Sequence, residues 1–230
     1  MNKPIKIAID GPVGSGKGTL AIALAKKINA FYVNTGAMYR ELALACLRES
    51  IDMENGDKVL ETLKKSSIEI KATEKGIRAI LNEEDVSEEI FKPAVSKGSS
   101  KVAVFPQVRK EMVIRQRRMT QEAISSGKSV VMEGRDIATD VIPNADIKIY
   151  LTADIKTRAR RRLEQFKNKG IKAEFEEVLK ALEERDRKDT QRSASPLRIV
   201  EDAVVIDTTN DTIDQTVGKV LEKLKEKNLI

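Results

Sequence analysis

A glycine-rich segment with one lysine, at residues 11–19, is the first part of the sequence whose residue types and spacing suit the binding of an anion. It contains the spacing G-x-x-x-x-G-K-x-T. The glycines allow the backbone to curl so that successive N–H groups point at one phosphate, and a following helix adds the positive end of its dipole. Lys17 is long enough to reach the β- and γ-phosphates of a nucleotide. The residues predicted to bind phosphate are Gly11, Pro12, Val13, Gly14, Ser15, Gly16, Lys17, Gly18 and Thr19.

The alternative interpretation of this segment is a glycine-rich turn that binds nothing. Its flanks argue against that, because residues 5–10 form a β-branched run typical of a buried strand and residues 19–29 carry apolar side chains at helical spacing. A strand, a glycine loop and a helix in this order open a parallel α/β fold. Gly18 stands where a Ser or Thr hydroxyl usually holds Mg²⁺, and Thr19 is the next residue.

A second group of residues suited to phosphate chemistry lies near residue 190. Arg185, Asp189 and Arg192 stand at i, i+4 and i+7, which puts them on one face of a helix if the helix runs that far. Phosphoryl transfer requires positive charge spread over the moving group and exclusion of water more than it requires a base. The alternative is that these arginines lie on a solvated helix face and pair with glutamates. The residues alone leave both interpretations of Arg185 and Arg192 open.

Composition removes several classes of chemistry. The chain has no histidine and a single cysteine, Cys46. Ser-His-Asp hydrolysis, His-ligated zinc and His general-base catalysis are therefore excluded, as are disulfides and multi-cysteine metal sites within one chain. The net charge of +6 suits either nucleic acid or small phosphorylated substrates. Aromatic residues make up only 3% of the chain, which weakens the case for a base-stacking nucleic-acid platform.

The length of 230 residues suits one α/β core with a small insert. No apolar run approaches the ~20 residues that span a bilayer. The apolar run at residues 5–10 is short and leads directly into the glycine turn, so no signal peptide is predicted. We therefore expect a cytoplasmic protein without a membrane partner.

Alternating strand-like and helix-like segments predict a three-layer α/β fold with a central parallel sheet and helices on both faces. The predicted core strands are 5–10, 129–133, 146–151 and 203–207, and the predicted helices are 19–29, 37–49, 57–65, 92–103, 106–125, 154–169, 173–187 and one from about residue 211. Between them, residues 68–72 and 76–81 alternate polar and apolar side chains across a turn at 73–76. This pattern predicts a β-hairpin in a small inserted lobe.

Six sequence blocks, in order, resemble the bacterial cytidylate kinases, which are P-loop nucleoside monophosphate kinases. The resemblance covers nearly the whole chain and is far more specific than any block alone. The blocks are Gly-Lys-Gly-Thr at 16–19, Thr-Gly-Ala-Met-Tyr-Arg at 35–40, Glu-Asp-Val-Ser at 84–87, Ser100 through Arg109, Gly-Arg-Asp at 134–136, and 184–192.

The resemblance implies a domain organisation and an activity. It implies a core of residues 1–62, 101–155 and 197–230, an acceptor-nucleotide insert at 63–100 and a helical lid at 156–196. It implies transfer of the γ-phosphoryl group of ATP to CMP or dCMP, giving CDP or dCDP and ADP. Mg²⁺ would be held mainly through water and phosphates, with no direct protein ligand.

The same resemblance implies roles for individual residues. Cytosine offers an amino donor and two ring acceptors, which suit an acidic side chain and donor side chains respectively. By similarity, Ser100, Arg109 and Asp136 would bind the base, and Asp189 would bind the sugar hydroxyls. The remaining assignments place Arg40 and Arg135 on the acceptor phosphate, Thr35 beside the substrate, and Lys17, Arg135, Arg185 and Arg192 in catalysis.

Three positions depart from the family pattern. Asn34 stands where an Asp is usual, and Glu133 replaces an Asp before Gly-Arg-Asp. Phe91 stands where the family often has an Arg, so no phosphate or sugar contact is assigned to it. Whether Tyr39 belongs to the core or lies beside the ligand is left open by the sequence.

Two other functions are compatible with parts of the sequence. One is a P-loop kinase with another acceptor, such as UMP, AMP or shikimate. The other is an ATP-dependent nucleic-acid-binding regulator, which the basic run at residues 115–118 motivates. A GTPase is disfavoured, because residues 168–171 read Asn-Lys-Gly-Ile and lack the Asp of N-K-x-D. No heptad pattern demands an oligomer, so a monomer is predicted. A nucleic-acid partner is not predicted either.

Overall fold

The computed structural model describes residues 3–73, 76–168 and 170–230 of the chain. Its centre is a sheet of five parallel strands in the order β2-β6-β1-β7-β8. The strands are β1 (Lys6–Asp10), β2 (Phe31–Asn34), β6 (Val130–Gly134), β7 (Ile147–Thr152) and β8 (Val204–Asp207). The central strand β1 is flanked by parallel neighbours on both sides, with Ile7 opposite Val131 and Ile147. The predicted α/β class with a central parallel sheet is confirmed.

Helices cover both faces of this sheet. The helices of the described residues are α1 (Lys17–Lys27), α2 (Thr35–Arg48), α3 (Gly56–Lys65), α4 (Pro93–Val102), α5 (Pro106–Ser125), α6 (Ile155–Asn168), α7 (Phe175–Gln191) and α8 (Ile213–Glu226). The residues buried by α1 and α8 form a cluster on one face of the sheet, and those of α2, α3 and α5 belong to a cluster on the other. Burial on both faces explains why the central strands are continuous apolar runs.

Two helix boundaries differ from the sequence prediction in ways that affect the site. Helix α7 continues to Gln191 instead of ending at residue 187, so Arg185 and Asp189 both lie on it. Arg192 follows the last turn in an extended conformation, so it does not share the helical face that its spacing predicted. Helix α2 begins after Asn34, whose side-chain oxygen accepts a hydrogen bond from the Ala37 N–H at 2.8 Å. Asn34 is therefore the N-cap of this helix.

The predicted hairpin is present in a second, antiparallel sheet. It is formed by β3 (Ile68–Thr73), β4 (Gly76–Leu81) and the short β5 (Glu84–Asp85). Of the turn predicted at 73–76, residues 73 and 76 belong to the two strands, and residues 74 and 75 lie outside the described residues. A 3₁₀ turn at Glu89–Phe91 leads from this sheet to α4, which packs against α2. This arrangement brings the insert beside the helix that follows β2.

An acidic side chain is enclosed between α2 and the second sheet. Glu41 is completely buried, and neither carboxylate oxygen makes a well-formed hydrogen bond among the described residues. Burial raises the pKa of Glu41 to about 9, and the nearby backbone N–H of Ile80 offsets only part of this effect. The folded protein therefore keeps this proton at neutral pH.

We expect Glu41→Gln to stabilise the protein at pH 8 and to change its stability little at pH 5. The unfolded chain releases the Glu41 proton around its ordinary pKa of 4.5, whereas the folded protein keeps it up to about 9. Between these two pKa values the free energy of unfolding of the wild type falls as pH rises, by at most ~1.4 kcal/mol per pH unit. Below pH 4.5 the Glu41 carboxyl is protonated in both states, so it causes no such loss of stability. Urea unfolding at both pH values measures the difference. The same stabilisation at pH 5 and pH 8 would contradict the prediction, and Glu61→Gln on the exposed side of α3 is the control.

Candidate active site

The glycine-rich loop lies between the carboxyl end of β1 and the start of α1. Gly11 has φ 148°, and a Cβ added there would lie 2.0 Å from the backbone oxygen of Leu151 in β7. Gly14 and Gly16 also have positive φ, at 79° and 91°. Only glycine supports these positive φ values without strain, and at Gly11 the close approach to β7 also leaves no space for a side chain. The loop therefore turns at the carboxyl edge of a parallel sheet, which is where ligands bind in such folds.

Lys17 is buried and folds back over the loop. Its Nζ donates hydrogen bonds to the backbone oxygen of Pro12 at 2.6 Å and to the Ser15 hydroxyl at 3.4 Å. Burial, together with the neighbouring Arg135, lowers the pKa of Lys17 well below its ordinary value. An anion beside this ammonium would restore its charge, so the position suits a phosphate.

Asp10, at the end of β1, connects the loop to the segment after β6. Its carboxylate accepts hydrogen bonds from the backbone N–H groups of Ile137 at 2.9 Å and Ala138 at 2.8 Å. Burial raises its pKa to about 6 in spite of these two bonds. Asp10 thereby fixes the start of the π turn at Ile137–Val141, directly after Asp136. Sequence reasoning assigned no role to Asp10.

A single cleft of about 590 Å³ joins the loop to the other candidate residues. That volume is in the range of small-molecule sites. Gly11 and Pro12 do not line the cleft, and they act through backbone shape and through the Pro12 oxygen. The predicted residues that line it are Val13, Gly14, Ser15, Gly16, Lys17, Gly18, Thr19, Thr35, Arg40, Ser100, Arg109, Arg135, Asp136, Arg185, Asp189 and Arg192.

Arg109 and Asp136 form a buried ion pair at one end of the cleft. Arg109 Nη2 contacts Asp136 Oδ2, and both side chains are almost fully buried. Nη1 of Arg109 also donates to the backbone oxygen of Ala103 at 3.1 Å, while its Nε has no partner among the described residues. The guanidinium lies 5.6 Å from the centre of the Tyr39 ring. Tyr39 belongs to the core cluster and also lines the cleft beside the ion pair, and Ser100 is another of the lining residues.

Arg40 follows Tyr39 on α2 and contacts residues of the insert. Its Nη1 donates to the Ser96 hydroxyl at 2.5 Å and to the Ile90 backbone oxygen at 3.2 Å. Its guanidinium is 5.4 Å from the centre of the Phe91 ring. Burial, and repulsion from Arg185 in second place, lower the pKa of Arg40 to about 9. Phe91 therefore occupies a position where the family often has an Arg, and its ring contacts Arg40.

Further arginines enter the cleft from β6 and from the α6–α7 helix pair. Arg135 Nε binds Asp189 Oδ2 at 2.8 Å, and Arg192 Nε donates to the Ser195 backbone oxygen at 2.7 Å. Arg185 Nε and Arg192 Nη2 are buried and have no hydrogen-bond partner in the part of the chain that the structure describes. Burial and the neighbouring Arg135 lower the pKa of Arg185 to about 10. Positive charge is therefore in excess here, which favours an anionic ligand.

The two polar departures from the family pattern are joined by one tyrosine. Glu133 Oε1 accepts a hydrogen bond of 2.9 Å from the Tyr32 hydroxyl, which in turn accepts one of 3.1 Å from the Asn34 amide. A Cβ on Gly18 would lie 3.0 Å from Glu133 Oε1, so the carboxylate faces the start of α1. Thr35 donates to the Glu133 backbone oxygen at 2.8 Å. Asn34 thus supplies a donor that an aspartate could not.

Within the described ranges, no group of three or more acidic, histidine or cysteine residues could hold a metal ion. An ion held chiefly by phosphates and water needs only one or two protein carboxylates. Glu133, buried beside Gly18, and the Thr19 hydroxyl suit such an ion.

The opposite end of the cleft contains residues that sequence reasoning missed. The Thr208 hydroxyl donates toward the Ser15 backbone oxygen at 3.1 Å and accepts from Arg161 Nη1 at 3.0 Å. Asp211 and the half-exposed Ile213 line the same end. Thr208 and Asp211 lie between β8 and α8, and Ile213 is the first residue of α8, at the same sheet edge as the loop. The sequence signal that could have identified them is their position directly after the last predicted strand.

Comparisons with known proteins identify one family. The family model described as cytidylate kinase matches residues 7–226. The cytidylate kinase of Caldanaerobacter subterraneus subsp. tengcongensis is 46% identical over 226 residues, covering 98% of this chain and 97% of the relative. That of Bacillus subtilis is 40% identical over 228 residues and covers 99% of this chain and 100% of the relative.

Similarity to solved structures is confined to the fold. An uncharacterized protein from Eubacterium ventriosum superposes with a TM-score of 0.52 at 14% identity, covering 97% of this chain and 99% of that one. A sugar kinase from Janibacter sp. has a TM-score of 0.50 at 12% identity, with 96% and 95% covered.

No helix among residues 3–73, 76–168 and 170–230 combines the length and the apolar character that crossing a membrane requires. The family model and the relatives span the phosphate loop, the insert and the α6–α7 pair together, so the similarity is not limited to one motif. This chain therefore belongs to the cytidylate kinase family, as its six sequence blocks predicted.

Proposed function

We propose that this protein transfers the γ-phosphoryl group of ATP to CMP or dCMP, giving CDP or dCDP and ADP. One observation carries the proposal: a single cleft runs from the glycine loop to the buried Arg109–Asp136 pair. Arginines without full hydrogen bonding lie between these two ends. The cleft thus has a place for a nucleoside triphosphate and a place for a polar base. Its positive charge lies between them, where the donor and acceptor phosphates would come together.

The donor nucleotide is assigned to the loop end. The N–H groups of residues 13–19 and Lys17 would hold the phosphates of ATP. Arg161, Thr208 and Ile213 supply a polar rim and an apolar surface for its base. Mg²⁺, when bound, neutralises phosphate charge, and Glu133 and Thr19 would hold it through water.

The acceptor nucleotide is assigned to the other end. Asp136 would accept a hydrogen bond from the cytosine amino group, while Arg109 and Ser100 would donate to its ring acceptors. Arg40 and Arg135 would hold the acceptor phosphate. Asp189 would bind the sugar hydroxyls and Thr35 would lie beside the substrate, and both residues line the cleft.

The reaction requires no general base, because the acceptor phosphate already carries the attacking oxygen as an anion. Lys17, Arg135, Arg185 and Arg192 would stabilise the charge on the transferred group. We further propose that residues 156–196, which contain α6 and α7, form a lid whose closure excludes water and so limits hydrolysis of ATP. The acceptor insert would be residues 63–100, and the core residues 1–62, 101–155 and 197–230. A cytoplasmic location and a monomeric state stay predictions from the sequence.

The rival function in nucleic-acid binding receives little support from the basic run at 115–118. Arg115 donates to the backbone oxygens of Ser66 and Leu63 at 2.9 and 2.7 Å. Arg117 donates to the backbone oxygens of Val141 and Asp140 at 3.0 and 2.5 Å. Both arginines therefore stabilise neighbouring segments of the fold instead of presenting a free basic face.

The direct test is ADP production from Mg·ATP with CMP, dCMP, UMP, AMP and shikimate offered separately at one salt concentration. The proposal expects fast turnover with CMP and dCMP and slow turnover with the other three. No turnover with either cytidine nucleotide, by folded protein that still binds ATP, would overturn the acceptor assignment and leave the phosphate loop standing. Steeply salt-dependent binding to RNA or DNA would favour the rival.

We expect Asp136→Asn to lower kcat/KM for CMP by about 10- to 100-fold, in line with the ~1–3 kcal/mol of a base-edge contact. An amide presents a donor where the cytosine amino group needs an acceptor, so discrimination against UMP should fall at the same time. Initial rates with CMP and UMP measure both effects. Arg118→Met, on the exposed side of α5, is the control. Equal losses for CMP and UMP would contradict a base-reading role for Asp136.

A further inference from the structure

Arg158 of α6 is an almost completely buried arginine that contacts three separate segments. Its Nε donates to the Ala153 backbone oxygen at 3.0 Å, just before α6. Its Nη1 donates to the Val13 backbone oxygen in the glycine loop at 3.2 Å. The same Nη1 forms an ion pair of 2.6 Å with Asp186 Oδ2 on α7. Arg158 does not line the cleft, so it reaches the site only through these neighbours.

The glycine loop and the helix pair are also packed together directly. The Val13 side chain contacts the small apolar cluster of α6 and α7, whose buried members are Ala159, Val178 and Leu182. A Cβ on Gly14 would lie 3.1 Å from Arg158 Cβ. Val13 and Gly14, the second and third variable positions of the phosphate loop, therefore lie directly against the helix pair. A change in loop conformation must be accommodated by α6 or transmitted to it.

Asp186 connects this contact to the cleft. It is the neighbour of Arg185 on α7, and Asp189, which binds Arg135, comes less than one turn later. Asp186 Oδ1 is buried and has no hydrogen-bond partner in the described part of the chain. The orientation of α7 around this point therefore depends strongly on the bond between Asp186 Oδ2 and Arg158. Loss of one partner from a buried ion pair is costly, so the two side chains should move together.

We propose that Arg158 is a positioning residue that couples the phosphate loop to α7, and so sets the position of Arg185 when ATP binds. Phosphates bound by the loop would act on the Val13 peptide, Arg158 would follow the Val13 oxygen, and Asp186 would follow Arg158. The inference rests on the proposed function, since it assumes that ATP binds the loop. It does not depend on which acceptor is used.

The alternative is that Arg158 is a fixed brace that merely keeps the helix pair folded. A brace and a coupling residue differ in their response to ATP. Without a coupling residue, ATP should still bind but should no longer change the position of α7. Loss of a brace should lower stability and leave the response of the surviving folded protein intact.

The test measures movement of α7 by fluorescence transfer between two introduced cysteines. Glu177→Cys on α7 and Glu222→Cys on α8 are both exposed, and the single native cysteine, Cys46, is buried. Asp186→Asn keeps the shape of the side chain and removes its charge, and Arg158→Lys keeps the charge and removes the planar fork. Glu183→Gln, exposed on the same helix, is the control. ATP affinity, the ATP-induced transfer change and kcat are measured for each folded variant.

We expect ATP to change the transfer efficiency in the parent and in the control, and each coupling variant to lose most of that change. ATP affinity should stay within about 3-fold, while kcat for CMP falls by about 10- to 100-fold, the pattern of an interaction lost in the transition state. The variant that carries both substitutions should resemble each single variant, because each substitution removes the same contact between Arg158 and Asp186. An unchanged ATP response in the variants, or none in the parent, would overturn the proposal, as would a loss confined to ATP affinity. Failure of cytidine turnover with the transfer result intact would overturn only the acceptor.

Discussion

Substituting Arg185 with alanine should lower kcat for CMP phosphorylation by about 10³-fold, the lower range for an arginine acting on a transferred phosphoryl group. Affinity for ATP should change far less. Arg185 enters the cleft from α7, and its Nε has no hydrogen-bond partner among the described residues. Burial and the neighbouring Arg135 both disfavour the charged form of its guanidinium. Such a guanidinium gains most when negative charge accumulates beside it. Its contribution is therefore larger in the transition state than in the complex with ATP.

The measurement that separates these effects is single-turnover kinetics together with ATP binding by calorimetry. Arg187→Ala, exposed two residues further along α7, is the matched control and should keep wild-type rates. Arg185→Lys should recover part of the rate, because it restores the charge without the planar fork. A loss that appears only in ATP affinity would rule out the catalytic assignment of Arg185.

Replacing Lys17 with methionine should reduce kcat/KM for ATP by about 10²- to 10³-fold, the loss typical of one preorganised charged donor. The side-chain length is retained, so the loop should keep its packing. Burial lowers the pKa of Lys17 in the folded protein, while the unfolded chain stays charged up to its ordinary value of 10.5. The lysine is thus a net cost to folding at neutral pH, and that cost declines as pH rises toward 10.5. Lys17→Met should therefore unfold at the same temperature as wild type, or higher.

Activity and thermal unfolding must be measured on the same preparations for this prediction. Lys26→Met, on the exposed face of α1, provides the control for removal of a lysine from this helix. A variant of Lys17 that retains ATP turnover would rule out its role in phosphate binding. A variant that loses activity together with its fold would instead assign Lys17 a structural role.

Much of the fold could be predicted from the sequence because its signals are local. The continuous apolar run at β1, the alternation of β3 and β4, and Pro106 at the start of α5 depend on residues within one element. Strand β2 was missed, because Phe31–Asn34 is only four residues long and its sheet partner, β6, lies about a hundred residues away. Such short runs are ambiguous without knowledge of what they pair with.

The members of the candidate site could also be predicted, since their blocks match a family, and most of them line one cleft. The connections between them could not. Asp10 holds the segment after Asp136 from a strand more than a hundred residues away, and Tyr32 joins Asn34 to Glu133. Hydrogen bonds of this kind follow from the order of strands in the sheet, which no local pattern encodes.

The arginines show which properties of the site the sequence determines and which only the tertiary structure decides. By itself the sequence determined the phosphate loop, the absence of histidine chemistry and an excess of positive charge. The residues alone left open whether Arg185 binds phosphate or lies on a solvated helix face, and they allowed the run that contains Arg115 and Arg117 to bind nucleic acid. The tertiary structure binds Arg115 and Arg117 to backbone oxygens of distant segments and leaves Arg185 Nε without a partner among the described residues. The physical reason is that a guanidinium is available to a ligand only if its neighbours in space have not already satisfied its donors.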